Sequence, residues 1–339
     1  MSQFFAEYGL FLAKTLTLLV ALGLALAMIA SSSRRGSPET GIKVEKLNDR
    51  FRDLGRQIRR AALSKKAYKK FAKDEKETLK KAEKAAGEDE QRKRFFVLDF
   101  KGDIRASAVA HLREEISAVV SIASGEDEVV LRLENPGGAV HEHGLAASQL
   151  LRLKSRGIPL TVVVDKVAAS GGYMMACIAE RIVAAPFAVI GSIGVLAQLP
   201  NFNRALKEKG VDWEEITAGK YKRTVTMFGE TSDEDREKLR EELDEVHYLF
   251  KQLIAEQRPS LDVEAVATGE HWYGTRALEL GLVDELGASD DYLLDAVEQG
   301  DVYAVTYKGK QSLQERLFSM MESALQLGPL GAWLGRSPR

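Results

Sequence analysis

With 339 residues, of which 45% are hydrophobic, the chain is long enough to bury one large core or two smaller ones. The formal net charge of −2 does not indicate a nucleic-acid-binding protein, and we expect no nucleic-acid partner. The only cysteine, Cys177, excludes an internal disulfide, so the chain needs no oxidising compartment.

The chain begins with an apolar segment. Residues 9–30 contain one charged side chain, Lys14, and this length is sufficient for a helix to cross a bilayer. We therefore predict a transmembrane anchor over residues 1–31. A cleaved signal peptide is the alternative, but residues 1–8 lack the basic residues of its first region. The basic residues that follow favour a cytoplasmic C-terminal portion, although charge alone does not place a folded domain.

Residues 32–94 are rich in Lys, Arg, Glu and Ala, with an excess of basic residues. Spaced apolar residues predict a partly helical, charged stalk or adaptor with a hinge at Gly87. The stalk could lie on anionic lipid headgroups, but a solvated tether is the simpler interpretation. The spaced residues are Leu47, Phe51, Leu54, Ile58 and Leu63.

From residue 95 to about 310, short apolar strands alternate with amphipathic helices. This alternation is typical of βα repeats around a largely parallel sheet, so the predicted fold class is α/β. The predicted strands are Phe95–Asp99, Val129–Leu133, Leu160–Val164, Arg181–Ala184 and Val211–Ile216, and the predicted helices are Ala106–Ser121, Val140–Ser155, Gly172–Glu180 and Asn203–Lys209.

Three more helices are predicted further along the chain. A long charged helix runs from Asp233 to Gln257, where Pro259 ends it, and shorter helices follow at Asp262–Ala267 and Thr275–Leu280. We predict that residues 311–339 form an amphipathic tail. For this tail a small satellite core or a subunit contact is favoured over a helix on the membrane surface.

The most informative feature is a serine at a strand-to-helix corner. Ser170 follows the apolar run Leu160–Val164 and precedes Gly171 and Gly172, which allow a sharp turn with free backbone N–H groups. A nucleophile for acyl transfer belongs at such a corner. A second glycine corner, Asn135–Gly138, follows another buried run and could supply the second amide of an oxyanion hole.

A serine hydroxyl needs a base, and the residues alone leave its identity open. None of the five histidines lies where a catalytic base is expected, and His141 with His143 lacks a third metal ligand at a recognisable spacing. We expect no metal and no cofactor. A lysine acts as a base only where burial or a nearby cation favours its neutral form. Lys222 lies beside Arg223 in a loop-like segment, and spacing alone favours a solvated basic loop over a catalytic base there.

Five motifs in order resemble the signal peptide peptidase A family of serine proteases. The N-terminal apolar segment with its charged stalk resembles, more specifically, the membrane-anchored SohB branch of that family. The resemblance covers about residues 95–290. The motifs are Asn135-Pro136-Gly137-Gly138, Ala169-Ser170-Gly171-Gly172-Tyr173, Gly191-Ser192-Ile193-Gly194-Val195, Gly219-Lys220-Tyr221-Lys222 and Gly281-Leu282-Val283-Asp284.

This resemblance implies a Clp-protease-like or crotonase-like core of repeated ββα units with a Ser-Lys dyad. By position, Ser170 matches the nucleophile and Lys222 the base, although Lys220 offers a second lysine. Gly138, or its neighbour Gly137, matches the oxyanion hole together with Gly171. Ser192 is a candidate for orienting the lysine, with a plain turn residue as the alternative.

The function expected from the resemblance is a serine endopeptidase that hydrolyses cleaved signal peptides or misfolded segments through an acyl-enzyme. The expected partners are a peptide or unfolded protein, the lipid bilayer and further copies of the chain in a homo-oligomer. The expected location is the bacterial inner membrane, with a single pass near the N-terminus. Apolar residues such as Met174, Val189, Ile190 and Ile193 are candidates for lining the site.

Two other interpretations stay open at this point. The crotonase-like fold also hosts acyl-CoA chemistry, in which paired glycine corners hold a thioester enolate and neither Ser170 nor Lys222 is needed. Alternatively, the chain is a catalytically idle membrane scaffold of the same fold. Against an idle site, both dyad residues and both glycine corners are present together.

Overall fold

The computed structural model describes residues 7–20, 41–86 and 92–309. The chain divides into two compact units, one formed by Met1–Gly41 with Tyr307–Arg339 and the other by Ile42–Thr306. In the first unit, residues 7–20 form helix α1. No helix among the described residues is both long and apolar enough to cross a membrane. Residues 21–31 of the predicted anchor, and the tail over 311–339, lie outside the described residues.

A seven-stranded sheet organises the second unit. Its strand order is β1-β10-β2-β3-β4-β6-β9, and the neighbours from β10 to β9 pair in parallel. Such a sheet is covered on both faces, which explains why its central strands are apolar at nearly every position. The strands are β1 Gly41–Lys46, β2 Arg94–Lys101, β3 Glu128–Glu134, β4 Leu160–Val164, β6 Arg181–Ala184, β9 Glu285–Leu286 and β10 Asp301–Lys308.

A second, three-stranded sheet carries the chain away from the first. In it β5 (Val167–Ala169) pairs in parallel with β7 (Val189–Gly191), and β7 pairs antiparallel with β8 (His271–Tyr273). Strand β5 follows β4 after two residues, and β7 likewise follows β6 after four. Two successive strands thus move from the large sheet to the small one, and a helix follows β5 directly.

Ten helices of the second unit surround these sheets in the described parts of the chain. Three of them, α4, α5 and α6, share one large hydrophobic core with β2, β3 and β4. The helices are α2 Leu47–Ala62, α3 Lys65–Ala86, α4 Val109–Val120, α5 Val140–Lys154, α6 Gly171–Ala176, α7 Asn203–Glu208, α8 Asp233–Gln257, α9 Val263–Val266, α10 Gly274–Glu279 and α11 Ser289–Gln299.

The α/β class is confirmed, and the predicted strands in β2, β3, β4 and β6 are present within a few residues of their expected ends. The predicted strand Val211–Ile216 is wrong, because this segment is irregular and exposed. It has no neighbouring strand to pair with, and Trp213 instead packs against Phe228 with ring centroids 5.0 Å apart. The helix predicted over Gly172–Glu180 ends earlier, at Ala176.

The first part of the charged segment packs onto the α/β core. Leu47 at the start of α2 is buried, and the Asn48 side chain accepts the Val302 N–H at 2.8 Å and donates to the Gly300 carbonyl at 2.9 Å. Most side chains of α2, and most of the described side chains of α3, are exposed. Residues 63–64 separate the two helices. Gly87, the predicted hinge, lies outside the described residues.

Candidate active site

Ser170 occupies a strained corner between β5 and α6. Its φ and ψ angles are 52° and −119°, a backbone conformation that residues other than glycine rarely adopt. The Ser170 N–H donates to the Gly191 carbonyl at 2.7 Å, and its own carbonyl accepts the Met174 N–H at 3.0 Å. These bonds hold the strained backbone in place. The residue is partly buried, so the hydroxyl lies at the edge of the core.

The two glycine corners meet at this serine. A Cβ at Gly137 would lie 2.8 Å from both the Ser170 Cβ and the Gly171 nitrogen, a distance that real side chains do not tolerate. Gly137 also has a φ of 92°, which favours glycine. The isolated bridge between Asn135 and Ala168 brings the chain after β3 alongside β5. The fold therefore makes adjacent two motifs that are distant in the sequence.

Hydrogen bonding separates the two candidate glycines of the first corner. The Gly137 N–H already donates to the Asn135 side-chain oxygen at 2.9 Å. In contrast, neither the Gly138 N–H nor the Gly171 N–H has an acceptor within the described ranges. Free amides are the requirement for an oxyanion hole, since they must be available to the charge that develops. In this pattern the Gly138 and Gly171 amides are available to a ligand, whereas the Gly137 amide is already occupied.

Ser192 lies beside Ser170 at the ends of two paired strands. Ala169 of β5 pairs with Gly191 of β7, so the two serines follow directly paired residues. Ser192 also has a positive φ, 50°, and its N–H donates to the Glu270 carbonyl at 2.6 Å. The predicted closeness of Ser192 to the nucleophile is therefore consistent with the strand register.

The apolar residues expected to line the site are mostly core residues. Ile190 and Ile193 are fully buried, and Met174 is almost so. Each belongs to the large hydrophobic core shared by the sheets and helices, so packing rather than substrate contact explains them. Of the four, only Val189 is partly exposed.

Lys222 is exposed, and no hydrogen bond or ion pair between described residues joins it to Ser170. Within the same described ranges its amine has no ion-pair or hydrogen-bond partner at all. Lys220 differs, because its amine lies 2.6 Å from a Glu234 carboxylate oxygen. Hydrogen bonds that the Lys220 ammonium donates to the Glu234 carboxylate and to the Tyr221 oxygen raise the pKa of Lys220 above its ordinary value. Lys220 is thus held protonated, whereas Lys222 is free to meet a partner.

A buried histidine, His143, lies under the site, although the sequence predicts no role for it there. His143 of α5 has no exposed surface, while the side chain of His141, two residues earlier, is 83% exposed. Residues two apart point to different faces of a helix, so the two imidazoles do not form a pair of ligands. The signal that could have found His143 is its helical spacing with the buried Ala146, Ala147 and Leu150.

The Gly281-Leu282-Val283-Asp284 motif anchors the helix that follows Ser170. The Tyr173 hydroxyl donates to the Leu282 carbonyl at 2.9 Å, and both residues are fully buried. Asp284 accepts two hydrogen bonds from Arg258, at 2.6 and 2.8 Å, and a third from the Ile182 N–H at 2.7 Å. The motif therefore supports α6 and is not itself part of the reacting groups.

We expect Asp284→Ala to lower the free energy of unfolding by about 2 kcal/mol, because it leaves the buried Arg258 guanidinium without its carboxylate partner, while the 36% exposure of the Asp284 side chain lets water reduce the loss. Burial alone would raise the pKa of Asp284, but the bonds from Arg258 and the Ile182 N–H lower it below its ordinary value. The stabilisation is therefore present above about pH 4, the unfolded value, and is lost as the pH falls through the lower folded value. Urea denaturation at several pH values measures both effects.

Glu279→Ala is the matched control for this prediction, since Glu279 forms an exposed ion pair with Arg276 on α10. Its expected effect is below about 1 kcal/mol. Equal losses for the two variants, or a loss in Asp284→Ala that does not shrink at acid pH, would contradict the role given to this ion pair.

Cys177, the only cysteine, is completely buried one residue beyond α6. Burial raises the pKa of its thiol to about 12, and the thiol donates to the Met174 carbonyl at 3.3 Å. A thiol with so high a pKa is a poor nucleophile. Cys177 is therefore a small core residue, as predicted.

Comparison with protein families gives two adjoining matches. Residues 3–150 match the model described as "Peptidase family S49 N-terminal", and residues 152–303 match "Peptidase family S49". The second match contains Ser170, Ser192 and Lys222, and the first contains the Asn135–Gly138 corner.

Individual relatives agree with the family match. "Probable protease SohB" from Haemophilus influenzae is 47% identical over 329 residues, which cover 94% of this chain and 93% of the relative. A protein of the same description from Buchnera aphidicola is 47% identical over 311 residues, covering 91% and 92%. Among solved structures, a ClpP1 mutant from Listeria monocytogenes matches with a TM-score of 0.37 and 16% identity, over 60% of this chain and 94% of that one.

Proposed function

The chain belongs to peptidase family S49, in its SohB branch, and on that premise we propose that it is a serine endopeptidase with a Ser170–Lys222 dyad. The observation that carries the proposal is the corner at Ser170. There a strained, partly buried serine lies against a second glycine corner, and the Gly138 and Gly171 amides have no acceptor in the described part of the chain. This arrangement suits acyl transfer.

In the first half of the reaction, neutral Lys222 takes the proton of the Ser170 hydroxyl as Oγ attacks the peptide carbonyl carbon. The carbonyl oxygen becomes an oxyanion that accepts hydrogen bonds from the Gly138 and Gly171 N–H groups. Collapse of this intermediate breaks the C–N bond, and the Lys222 ammonium gives its proton to the departing amine. The product of this half is an ester between Ser170 and the acyl part of the peptide.

In the second half, Lys222 takes a proton from water as the water oxygen attacks the ester carbon. The same two amides stabilise the second oxyanion. When it collapses, the bond to Oγ breaks, the lysine returns its proton to Ser170, and a carboxylic acid is released. No metal or cofactor enters any step.

The Lys222 amine must reach the Ser170 hydroxyl for this chemistry, and we propose that the two groups come together in a homo-oligomer. The segment that carries the lysine exposes apolar side chains that water solvates poorly: Ile216 is 93% exposed and Trp213 49%. Such a segment suits burial against another copy of the chain, and the unpaired Lys222 amine would then be buried with it. Contact between subunits would also favour the neutral form of the amine.

For substrate, we propose short peptides or unfolded segments near the bilayer, such as cleaved signal peptides, bound in extended form beside β5. The apolar N-terminal segment supports anchoring in the bacterial inner membrane, because residues 9–30 carry a single charge. A tethered protease encounters peptides that remain in or near the membrane more often than it encounters folded soluble proteins.

A fluorophosphonate tests whether Ser170 is an activated nucleophile. We expect the full-length chain in detergent to gain one phosphonyl group, located at Ser170 by peptide mass spectrometry, and Ser170→Ala to gain none. Ser155→Ala, which changes an exposed serine at the end of α5, should be labelled like the wild type. An unlabelled wild type would instead support the idle scaffold, and a label that persists in Ser170→Ala would assign the nucleophile elsewhere.

A further inference from the structure

One buried imidazole contacts both glycine corners of the site. His143 packs so closely against Gly171 that a Cβ at position 171 would overlap the ring at its Cγ and Cδ2 atoms. On its other side, the His143 Nε2 atom lies 3.2 Å from the Asn135 side-chain oxygen. The Nδ1 atom lies 2.9 Å from the Ala139 carbonyl oxygen. Each ring nitrogen therefore faces an acceptor, and the contact with Asn135 is a hydrogen bond donated by His143 when Nε2 carries the proton.

Asn135 links His143 to the first glycine corner, Asn135–Gly138. Its side-chain oxygen accepts the Gly137 N–H at 2.9 Å as well as facing His143. Its backbone N–H donates to Val167, and its carbonyl accepts the Ala169 N–H at 3.0 Å, directly before Ser170. Asn135 has no exposed surface, so water does not compete for these bonds.

We propose that His143 is a positioning residue that fixes the Gly138 and Gly171 amides relative to each other. Through Asn135 it sets the path of the Asn135–Gly138 corner, and through van der Waals contact it sets the place of Gly171. This inference rests on the proposed function, since it assigns His143 a part in the same oxyanion hole. His143 touches neither the substrate nor a reacting atom and is not a catalytic residue.

The geometry distinguishes positioning from mere core filling. A leucine at position 143 would fill a similar volume but donate no hydrogen bond to Asn135. A glutamine would place an N–H donor near the position of the His143 Nε2 atom, 3.2 Å from the Asn135 oxygen. If the hydrogen bond matters, the two variants differ. If only buried volume matters, leucine is the better tolerated, because it is apolar.

We expect His143→Leu to lower kcat for an internally quenched apolar peptide by about 10- to 100-fold, with KM changed by less than about threefold. The reason is that misplaced amides stabilise the oxyanion of the transition state less well but affect substrate binding little. His143→Gln should restore most of kcat. His141→Leu is the matched control on the same helix, and its exposed side chain predicts wild-type kinetics.

Amide hydrogen exchange supplies a second readout that needs no catalysis. In His143→Leu the Gly137 N–H should exchange at least about tenfold faster than in wild type and in His141→Leu, because its acceptor is no longer held. If Ser170→Ala is as active as the wild type, the proposed function fails while the exchange measurement still decides the role of His143. Wild-type kcat together with wild-type Gly137 exchange in His143→Leu would overturn the proposal, as would a glutamine variant no better than leucine.

Discussion

Replacing Ser170 by alanine should lower peptide hydrolysis by the full-length chain by at least about 10⁴-fold, because the variant cannot form the acyl-enzyme. The oxyanion donors and the peptide-binding surface remain, so a small residual rate over water is expected. Binding should change little, and the loss should appear in kcat. Hydrolysis of an internally quenched apolar peptide, with product identified by mass spectrometry, measures the effect.

The fold should survive this substitution. Alanine and serine meet a similar backbone penalty at a φ of 52°, and the Ser170 bonds that hold the corner come from its backbone. Thermal unfolding of Ser170→Ala should therefore lie within a few degrees of wild type. Substantial hydrolysis by a folded Ser170→Ala chain would show that another residue is the nucleophile.

Replacing Lys222 by alanine should lower kcat by about 10²- to 10⁴-fold, the usual contribution of a positioned general base. Lys220→Ala is the matched control, since it removes the same charge from the same exposed segment two residues away. Its amine is already paired with Glu234, which raises its pKa and keeps it from accepting a proton. We expect Lys220→Ala to retain kcat.

Phosphonylation rates separate the base from general damage to the segment. Lys222→Ala should react with the fluorophosphonate far more slowly than wild type, because the hydroxyl is no longer deprotonated, while Lys220→Ala should react normally. The reverse ranking would transfer the base to Lys220. Equal, small effects of both substitutions would remove lysine from the mechanism altogether.

Much of the architecture could be predicted because buried parallel strands are written as continuous apolar runs. β4, Leu160–Val164, is buried at every position and has the predicted ends. The strands of the small sheet escaped prediction, since β5 and β7 have only three residues each and show no period. The strand predicted over Val211–Ile216 is absent for a different reason. Its β-branched residues favour a strand, but a strand needs a neighbouring strand to pair with, and the described part of the fold provides none there.

At the site, the sequence indicates which motifs lie close to the candidate nucleophile but not which of their backbone amides are free. The sequence alone does not distinguish Gly137 from Gly138. Only the structure shows that the Gly137 N–H donates a hydrogen bond to the Asn135 side chain, while the Gly138 N–H has no acceptor among the described residues. In the sequence, His143 draws attention only as the second histidine of the pair His141 and His143, a spacing that suggests metal ligands. Its burial under Gly171 follows from the packing of α5 against α6, a long-range contact that no local pattern encodes.

The most direct test is a structure of the full-length chain in detergent, in its assembled state and with a peptidyl phosphonate bound. We predict that the Lys222 Nζ atom lies within about 3.2 Å of the Ser170 Oγ atom, from the same or a neighbouring copy, and that the phosphonyl oxygen accepts hydrogen bonds from Gly138 and Gly171. A Lys222 that stays in solvent, away from Ser170 in every copy of the inhibited assembly, would contradict the dyad.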